Sequence, residues 1–259
     1  MAADPFAGLV SRALGIEVEH VEAERVRRED EIAGAETQRV RWRARGDSGS
    51  LLFRRYPTKG ATEAALLPLL ARRGAPVPRV LASGVPPRHA AEARPWLLMS
   101  DPGDAPAARD ERAAGLAAAR AAVSRDTTTL VSLGVPTLAP SRIRDEALWA
   151  EELLDETDFS RVRRLADAVD AEGLAAGGTT LVHGALDGNA VRGDGGVILV
   201  GWSRAHLGAA AVDDPADRAS GGALAALFAI RWYAWEAREM LRPGPRAAAL
   251  VRQVLDRYN

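Results

Sequence analysis

The alternation of hydrophobic and polar positions predicts a first part of the chain rich in strands and a second part rich in helices. A short helix over 4–15 comes first, with Asp4 as its cap, Pro5 in its first turn and Gly15 at its end. An apolar helix over 61–73 later interrupts the strands, and Pro68 inside it should bend that helix or displace its start. The predicted strands are 17–21, 38–45, 50–56, 77–84 and 95–100.

Residues 101–106, Asp-Pro-Gly-Asp-Ala-Pro, form a turn-rich connector that separates these two parts. Two apolar strands, 179–184 and 196–202, flank a glycine-rich loop within the second part. The remaining predicted elements there are helices at 109–125, 142–155, 159–172, 221–241 and 245–257. The pattern predicts an α+β protein with an N-terminal lobe over 1–100, a linker over 101–106 and a helical C-terminal lobe over 107–259.

Composition narrows the function classes. The 259 residues carry a formal net charge of -1, which argues against a general nucleic-acid binder. The chain has no cysteine, which excludes disulfides, thiolate metal sites and a cysteine nucleophile and is typical of a cytoplasmic protein. No signal peptide or transmembrane run is visible, so no membrane partner is expected. Lys59 is the single lysine among 34 basic residues, so a mechanism that needs a buried strand lysine must use another group.

Four local patterns, in this order, resemble the aminoglycoside phosphotransferases. Residues 77–84, Val-Pro-Arg-Val-Leu-Ala-Ser-Gly, resemble the strand that follows the regulatory helix of that family, and 97–106 resemble its hinge. Residues 181–191, Leu-Val-His-Gly-Ala-Leu-Asp-Gly-Asn-Ala-Val, resemble a catalytic loop that usually reads His-Gly-Asp-Leu-His-x-x-Asn. Residues 197–202, Val-Ile-Leu-Val-Gly-Trp, resemble a metal-binding strand that usually reads Ile-Asp-Trp. The resemblance spans roughly residues 15–240.

This resemblance implies a two-lobed protein-kinase-like fold, with a small antiparallel sheet and one helix in the N-lobe and a mainly helical C-lobe. It also implies transfer of the terminal phosphoryl group of a nucleoside triphosphate to a hydroxyl or amine, a reaction that depends on positioning and charge neutralisation. In the family a strand lysine paired to a helix glutamate holds the phosphates. A loop aspartate accepts the substrate proton, and an asparagine and a second aspartate hold magnesium.

At the phosphate-binding position this sequence has Arg54, with Glu63 placed to pair with it. Arginine donates well, but its rigid fork does not reproduce the geometry of a lysine ammonium. The alternatives are that Arg54 is a surface charge of the strand and that Glu63 is a first-turn residue favoured by the helix dipole. The resemblance also assigns Met99, Ser100 and Asp101 to a vestigial nucleotide cleft, together with Arg54, Glu63, His183 and Asn189.

At the position of the catalytic base stands Ala185, whose methyl group can neither accept a proton nor orient a hydroxyl. The loop is one residue shorter than in the family, and Asp187 is its only nearby carboxylate, a possible substitute as base or metal ligand. Asn189 is retained as a single weak metal ligand. His183 is also retained, and the resemblance implies that it braces the loop.

Gly201 stands where the family has its second metal-binding aspartate, and it supplies no side-chain oxygen for Mg²⁺. The loop expected over the phosphates, between Val26 and Arg39, has one glycine and four carboxylates, which would repel a triphosphate. Asp213 follows as a capping residue before a helix. Three aromatic residues further on could belong to the helical core or stack on a ligand: Trp232, Tyr233 and Trp235.

Three functions remain open. The first is a pseudokinase that binds a small molecule or a partner protein, or supports metal-free chemistry in the old cleft; no cofactor is expected. The second is an active small-molecule phosphotransferase in which Arg54 and Asp187 replace the missing groups; only this one uses ATP and magnesium. The third is a structural subunit of a biosynthetic complex.

Overall fold

A computed structural model describes residues 5–26, 34–57, 62–84, 94–186, 188–213 and 220–258 of the chain. Contacts divide the chain into two compact units. The first unit contains residues 1–122 and 188–203, and the second contains 123–187 and 204–259. The two units are defined by which residues contact one another. They do not test the lobe boundaries expected from the sequence, which stay a prediction.

The first unit is built on a five-stranded antiparallel sheet with the order β1-β2-β3-β5-β4. Its helices are α1 (Pro5–Leu14), α2 (Thr62–Arg72) and α3 (Arg109–Ala122). Its strands are β1 (His20–Val26), β2 (Glu36–Ala44), β3 (Asp47–Arg55), β4 (Val80–Gly84) and β5 (Trp96–Ser100), with the separate hairpin β8 (Ala190–Gly193) and β9 (Gly196–Leu199).

Strand β3 is buried in its second half because other parts of the first unit pack on both of its faces. Leu51 and Phe53 point to one face and pack in a cluster with α1, where Phe6 meets the Phe53 ring edge-on at 5.1 Å. Leu52 and Arg54 point to the other face. The alternation of β3 therefore directs a charged side chain into the interior of this unit.

The second unit is mainly helical. Its helices are α4 (Thr127–Ser132), α5 (Pro140–Ala147), α6 (Glu156–Asp167), α7 (Ala171–Ala176), α8 (Ser220–Arg238) and α9 (Gly244–Arg257). A small sheet with the order β6-β10-β7 accompanies them, built from β6 (Thr137–Leu138), β7 (Thr180–Val182) and β10 (His206–Gly208). Helix α8 buries side chains all around its axis against α5, α6 and α9, and it is the centre of this core.

Most predicted elements agree with the structure to within a few residues, and the differences have local causes. The predicted helix over 142–155 is α5 followed by a 3-10 turn, Leu148–Glu152, because Pro140 starts α5 earlier and the helix tightens after Ala147. Pro68 lies inside α2, which runs on through it. Strands β6, β8 and β10 were not predicted, because two to four residues show no alternation. The equally short β7 and β9 were predicted, since they lie within the apolar runs 179–184 and 196–202.

Among the described helices, none combines the length and the apolar character that crossing a bilayer demands.

Candidate functional site

The interior of the first unit contains a buried ionic cluster, which we call the Arg54 cluster: Arg54, Glu63 and Ser203. The Nη1 group of Arg54 donates to Oε1 of Glu63 at 3.1 Å, and its Nη2 group donates to the hydroxyl of Ser203 at 3.2 Å. Ser203 in turn donates to Oε2 of Glu63 at 2.6 Å. All three residues are buried, so the two charges are neutralised inside the unit.

Arg54 also packs against the ring of Tyr56, with its Cζ atom 5.2 Å from the ring centroid. The stacking on Tyr56 and the two hydrogen bonds fix the position of the Arg54 guanidinium against other side chains of the protein. An arginine that binds phosphate must offer its N–H groups to the ligand. In this structure Arg54 directs Nη1 and Nη2 towards Glu63 and Ser203.

The space beside the Arg54 cluster is small. A cavity of about 20 Å³ is lined by Arg54, Glu63, Met99 and Gly201, among others. That volume holds about one water molecule. A purine base or a triphosphate does not fit into it.

Gly201 adopts a φ of +74°, which L side chains rarely adopt. A Cβ atom at this position would lie 2.3 Å from Oδ1 of Asn189. The side chain of Asn189 is buried and fills the space that a residue larger than glycine would need. Asn189 is fixed here because its carbonyl oxygen accepts from the Val200 amide at 2.8 Å, which joins the start of hairpin β8–β9 to the residue after it.

Asp101 belongs to a second network of the first unit. Its carboxylate accepts from Nε of Arg39 at 2.6 Å, from the hydroxyl of Ser50 at 2.5 Å and from the amide of Gly103 at 3.0 Å. Burial alone would raise the pKa of Asp101, but these hydrogen bonds outweigh it and lower the pKa below its usual value. The adjacent Ser100 hydroxyl accepts from the Arg79 amide at 2.9 Å. These groups join the connector to strands β2 and β3.

In the second unit a tight loop follows β7. The carboxylate of Asp213 accepts from the amides of His183 and Gly184 at 2.6 and 2.8 Å. The amide of Ala185 donates to Nδ1 of His183 at 3.3 Å, and the His183 ring is fully buried. Gly184 has a φ of +78°, and a Cβ there would lie 2.7 Å from a ring atom of Phe228. The loop is thus fixed by hydrogen bonds and by close packing.

His206 lies behind this loop, on β10. Its ring stacks on Phe228 with 4.5 Å between centroids, and its Nδ1 lies 3.1 Å from the carbonyl oxygen of Arg204. Burial disfavours the charged imidazolium and lowers the pKa of His206 to about 4, despite the opposing effect of the hydrogen bond to Arg204. His206 is therefore neutral at physiological pH.

A family model described as "APH: Phosphotransferase enzyme family" matches residues 30–237. The chain belongs to this family. No curated protein sequence gives a significant match. Two solved structures are similar over nearly their whole length and share the kinase-like α+β fold with this member of the phosphotransferase enzyme family.

The first is a Ralstonia eutropha JMP134 protein named as a candidate aminoglycoside phosphotransferase, at 15% identity and a TM-score of 0.55, with 98% of this chain and 97% of that one covered. The second is a spectinomycin phosphotransferase in complex with ADP and spectinomycin, at 9% identity and a TM-score of 0.56, with 98% and 96% covered. At such low identity these likenesses show the fold alone.

The structure brings some of the predicted site residues together. Arg54, Glu63 and Met99 line one cavity with Gly201, and Asn189 packs on Gly201. Ser100 and Asp101 belong to the connector network, and His183 and Ala185 lie in the loop of the second unit. Lys59, Asp187 and residues 27–33 of the predicted phosphate loop lie outside the described residues.

Sequence reasoning missed Ser203, which completes the Arg54 cluster, and Arg39, which holds Asp101. Ser203 follows Trp202 directly, and this adjacency is the only signal that could have placed it near the metal-binding position. Arg39 lies 62 positions before Asp101, so only the sheet brings the two together.

Gly201→Asp introduces the residue that the family resemblance places at this position, and we expect it to destabilise the protein by about 3 kcal/mol or more. The cost combines an unfavourable backbone conformation with the collision against Asn189. Gly46→Asp is the matched control, because Gly46 also has a φ of +74° but nothing within 4 Å of its Cβ position. Measured by urea unfolding, this control should lose about 1–2 kcal/mol of unfolding free energy. Equal costs for the two variants would contradict the packing argument.

Removal of one partner from the Arg54 cluster leaves a buried charge without its ion-pair partner. We therefore expect Glu63→Ala to cost about 3–5 kcal/mol of unfolding free energy, measured by chemical denaturation. The control is Glu24→Ala, which breaks the exposed Arg41–Glu24 pair at 3.1 Å and should cost less than about 1 kcal/mol. A double variant, Arg54→Met with Glu63→Leu, should recover most of the loss, and failure to recover would contradict a mainly electrostatic cost.

Acidification should lower the stability of the second unit, because buried His206 resists protonation in the folded state. The folded pKa, about 4, lies below the unfolded value near 6.5, so the unfolded state binds the proton first. The contribution of neutral His206 to the unfolding free energy is fully present above pH 6.5. It is lost as the pH falls towards 4, by up to about 3 kcal/mol. His206→Leu should flatten the pH dependence of the denaturation midpoint over this window. His20→Gln, an exposed histidine of β1, is the control that should leave the slope unchanged, and an unchanged slope in His206→Leu would refute the assignment.

Proposed function

We propose that this protein is a pseudokinase of the phosphotransferase enzyme family, which retains the fold, does not transfer phosphoryl groups and acts by binding a small molecule. The observation that carries the proposal is the packing of Asn189 against Gly201. The family's metal-binding carboxylate is absent, and the space for its side chain is filled by another residue. A position that had only lost its aspartate would leave that space open.

The Arg54 cluster supports the same proposal. A guanidinium that holds phosphate is available to the ligand, whereas Arg54 donates to Glu63 and Ser203 next to a cavity with room for about one water. A nucleotide triphosphate would have to compete with Glu63 for this cation. This arrangement argues against a magnesium–triphosphate complex held by Arg54.

Ala185 supports the proposal from the second unit. Its amide donates to His183 and its side chain is a methyl group, so this position can accept no proton. General-base assistance of this kind contributes about 10²–10⁴ in rate to enzymes that use it.

One observation favours the alternative of an active phosphotransferase. The ion pair between Arg54 and Glu63 preserves the pairing of a strand cation with a helix carboxylate, at 3.1 Å. In this alternative Arg54 grips the phosphates and Asp187 replaces the missing loop carboxylate. The two candidates differ in whether ATP binds in a magnesium-dependent way and is consumed.

The test is thermal unfolding with ATP and Mg²⁺, each alone and together, combined with an assay for ADP release. We expect no magnesium-dependent stabilisation by ATP and no ADP, because a ligand that does not bind the folded state cannot raise its melting temperature. Spectinomycin phosphotransferase with spectinomycin is the positive control. A magnesium-dependent shift with ADP release that disappears in Arg54→Met and Asp187→Ala would overturn the proposal in favour of the active enzyme.

The restored variant Arg54→Lys with Ala185→Asp and Gly201→Asp gives a second arm. It should remain without ATP turnover, because Asn189 and the short loop still prevent the family geometry. Turnover in this variant would show that only the charged groups were missing.

A further inference from the structure

The second unit contains a buried arginine, Arg204, that contacts no carboxylate among the described residues. Arg204 is 6% exposed, and its Nε and Nη2 atoms have no hydrogen-bond partner among the described residues. These two N–H groups lie on the same edge of the guanidinium and point in parallel. Buried N–H groups of a cation that make no hydrogen bond are costly, because their hydration is lost and nothing replaces it.

The flat face of Arg204 is held by aromatic rings of α8. Its Cζ atom lies 5.4 Å from the ring of Trp232 and 4.9 Å from the ring of Tyr233. The rings of Trp232 and Trp235 pack on each other with 5.0 Å between centroids. Stacking fixes the orientation of the guanidinium but does not satisfy its N–H groups, which lie in its plane.

A third donor belongs to the same set of side chains. The indole Nε1 of Trp232 is buried and has no hydrogen-bond partner among the described residues. An indole N–H can only donate, so it needs an acceptor. Three buried donors are thus found on two side chains that pack against each other.

Other cations of this region are already matched. Arg242 donates to Glu236 at 2.5 Å, and Arg231 donates to Glu146. Arg204 forms no ion pair with the described residues, so it differs from these neighbours in lacking an acidic partner. Within the described part of the chain, the interior of the second unit therefore has a positive charge at Arg204 that no carboxylate compensates.

We propose that Arg204 and Trp232 form a binding site for a carboxylate, carried by a small organic acid. The parallel N–H groups of Arg204 Nε and Nη2 match the spacing of the two carboxylate oxygens. The indole N–H of Trp232 supplies a further donor. The rings of Tyr233 and Trp235 offer apolar surface to the organic part of the ligand. This site goes beyond the proposed loss of phosphoryl transfer and does not depend on it.

The experiment measures thermal unfolding of the full chain with acetate, benzoate and inorganic phosphate, with benzamide as the uncharged counterpart of benzoate. We expect the melting temperature to rise with the logarithm of benzoate concentration, and benzamide to have no effect. Arg204→Lys keeps the charge but loses the fork, and it should weaken benzoate binding by about tenfold or more. Arg204→Met should abolish the response without lowering the melting temperature of the free protein, because it removes an unmatched charge.

Arg238→Met is the matched control. Arg238 also packs over an aromatic ring, that of Trp149 at 4.6 Å, but it is half-exposed and lies 3.7 Å from Glu152. This variant should keep the benzoate response of the native chain. A shift of the Arg204 Nε–H resonance on addition of benzoate gives a second readout, which a purely structural arginine would not show.

Three results would overturn the proposal: no stabilisation by either carboxylate, a response retained in Arg204→Met, or a response to inorganic phosphate alone. A fall in the melting temperature of Arg204→Met together with no benzoate response in the native chain would show that Arg204 only supports the core. None of these results depends on ATP. A failure of this proposal is therefore distinguishable from a failure of the pseudokinase assignment.

Discussion

The interior of the first unit depends on the neutralisation of one buried cation. Strand β3 directs Arg54 away from solvent, and the arginine is tolerated there because Glu63 of α2 and Ser203 bind it in a closed set of hydrogen bonds. The cluster ties the sheet to α2 and to the segment after β9. The same bonds that stabilise the fold direct Arg54 towards protein groups, so a ligand-binding role predicted for this residue would compete with its structural role.

The changes at the other site positions are consistent with this competition. Asn189 fills the space at Gly201, and Asp101 is held by Arg39 and Ser50. The Asp101 carboxylate, which could face a ligand, thus satisfies other groups of the protein, and the Asn189 side chain occupies space rather than leaving it open. Arg204 is the exception, since its face stacks on aromatic rings while its buried Nε and Nη2 atoms have no described acceptor.

Much of the fold could be predicted from the sequence. The long periodic segments predicted α2, α8 and the hairpin of β2 and β3 correctly, because burial over many residues leaves a clear hydrophobic pattern in the sequence. The motifs alone indicated that Ala185 and Gly201 stand where the family resemblance places two carboxylates, and this assignment stays a prediction. Strands β6, β8 and β10 and the break after α5 were not predictable, since two to four residues show no period and helix ends depend on packing.

The sequence by itself determined the family and the order of the longer elements, and it indicated which charged groups depart from the family pattern, because these are properties of residue type and spacing. Only the tertiary structure decided what the remaining groups do. Arg54 meets Ser203 across 149 positions, and Arg204 meets Tyr233 through the packing of α8. Hydrogen-bond partners and burial are set by contacts between distant segments, and the local pattern of a sequence does not encode which distant side chain satisfies a buried charge.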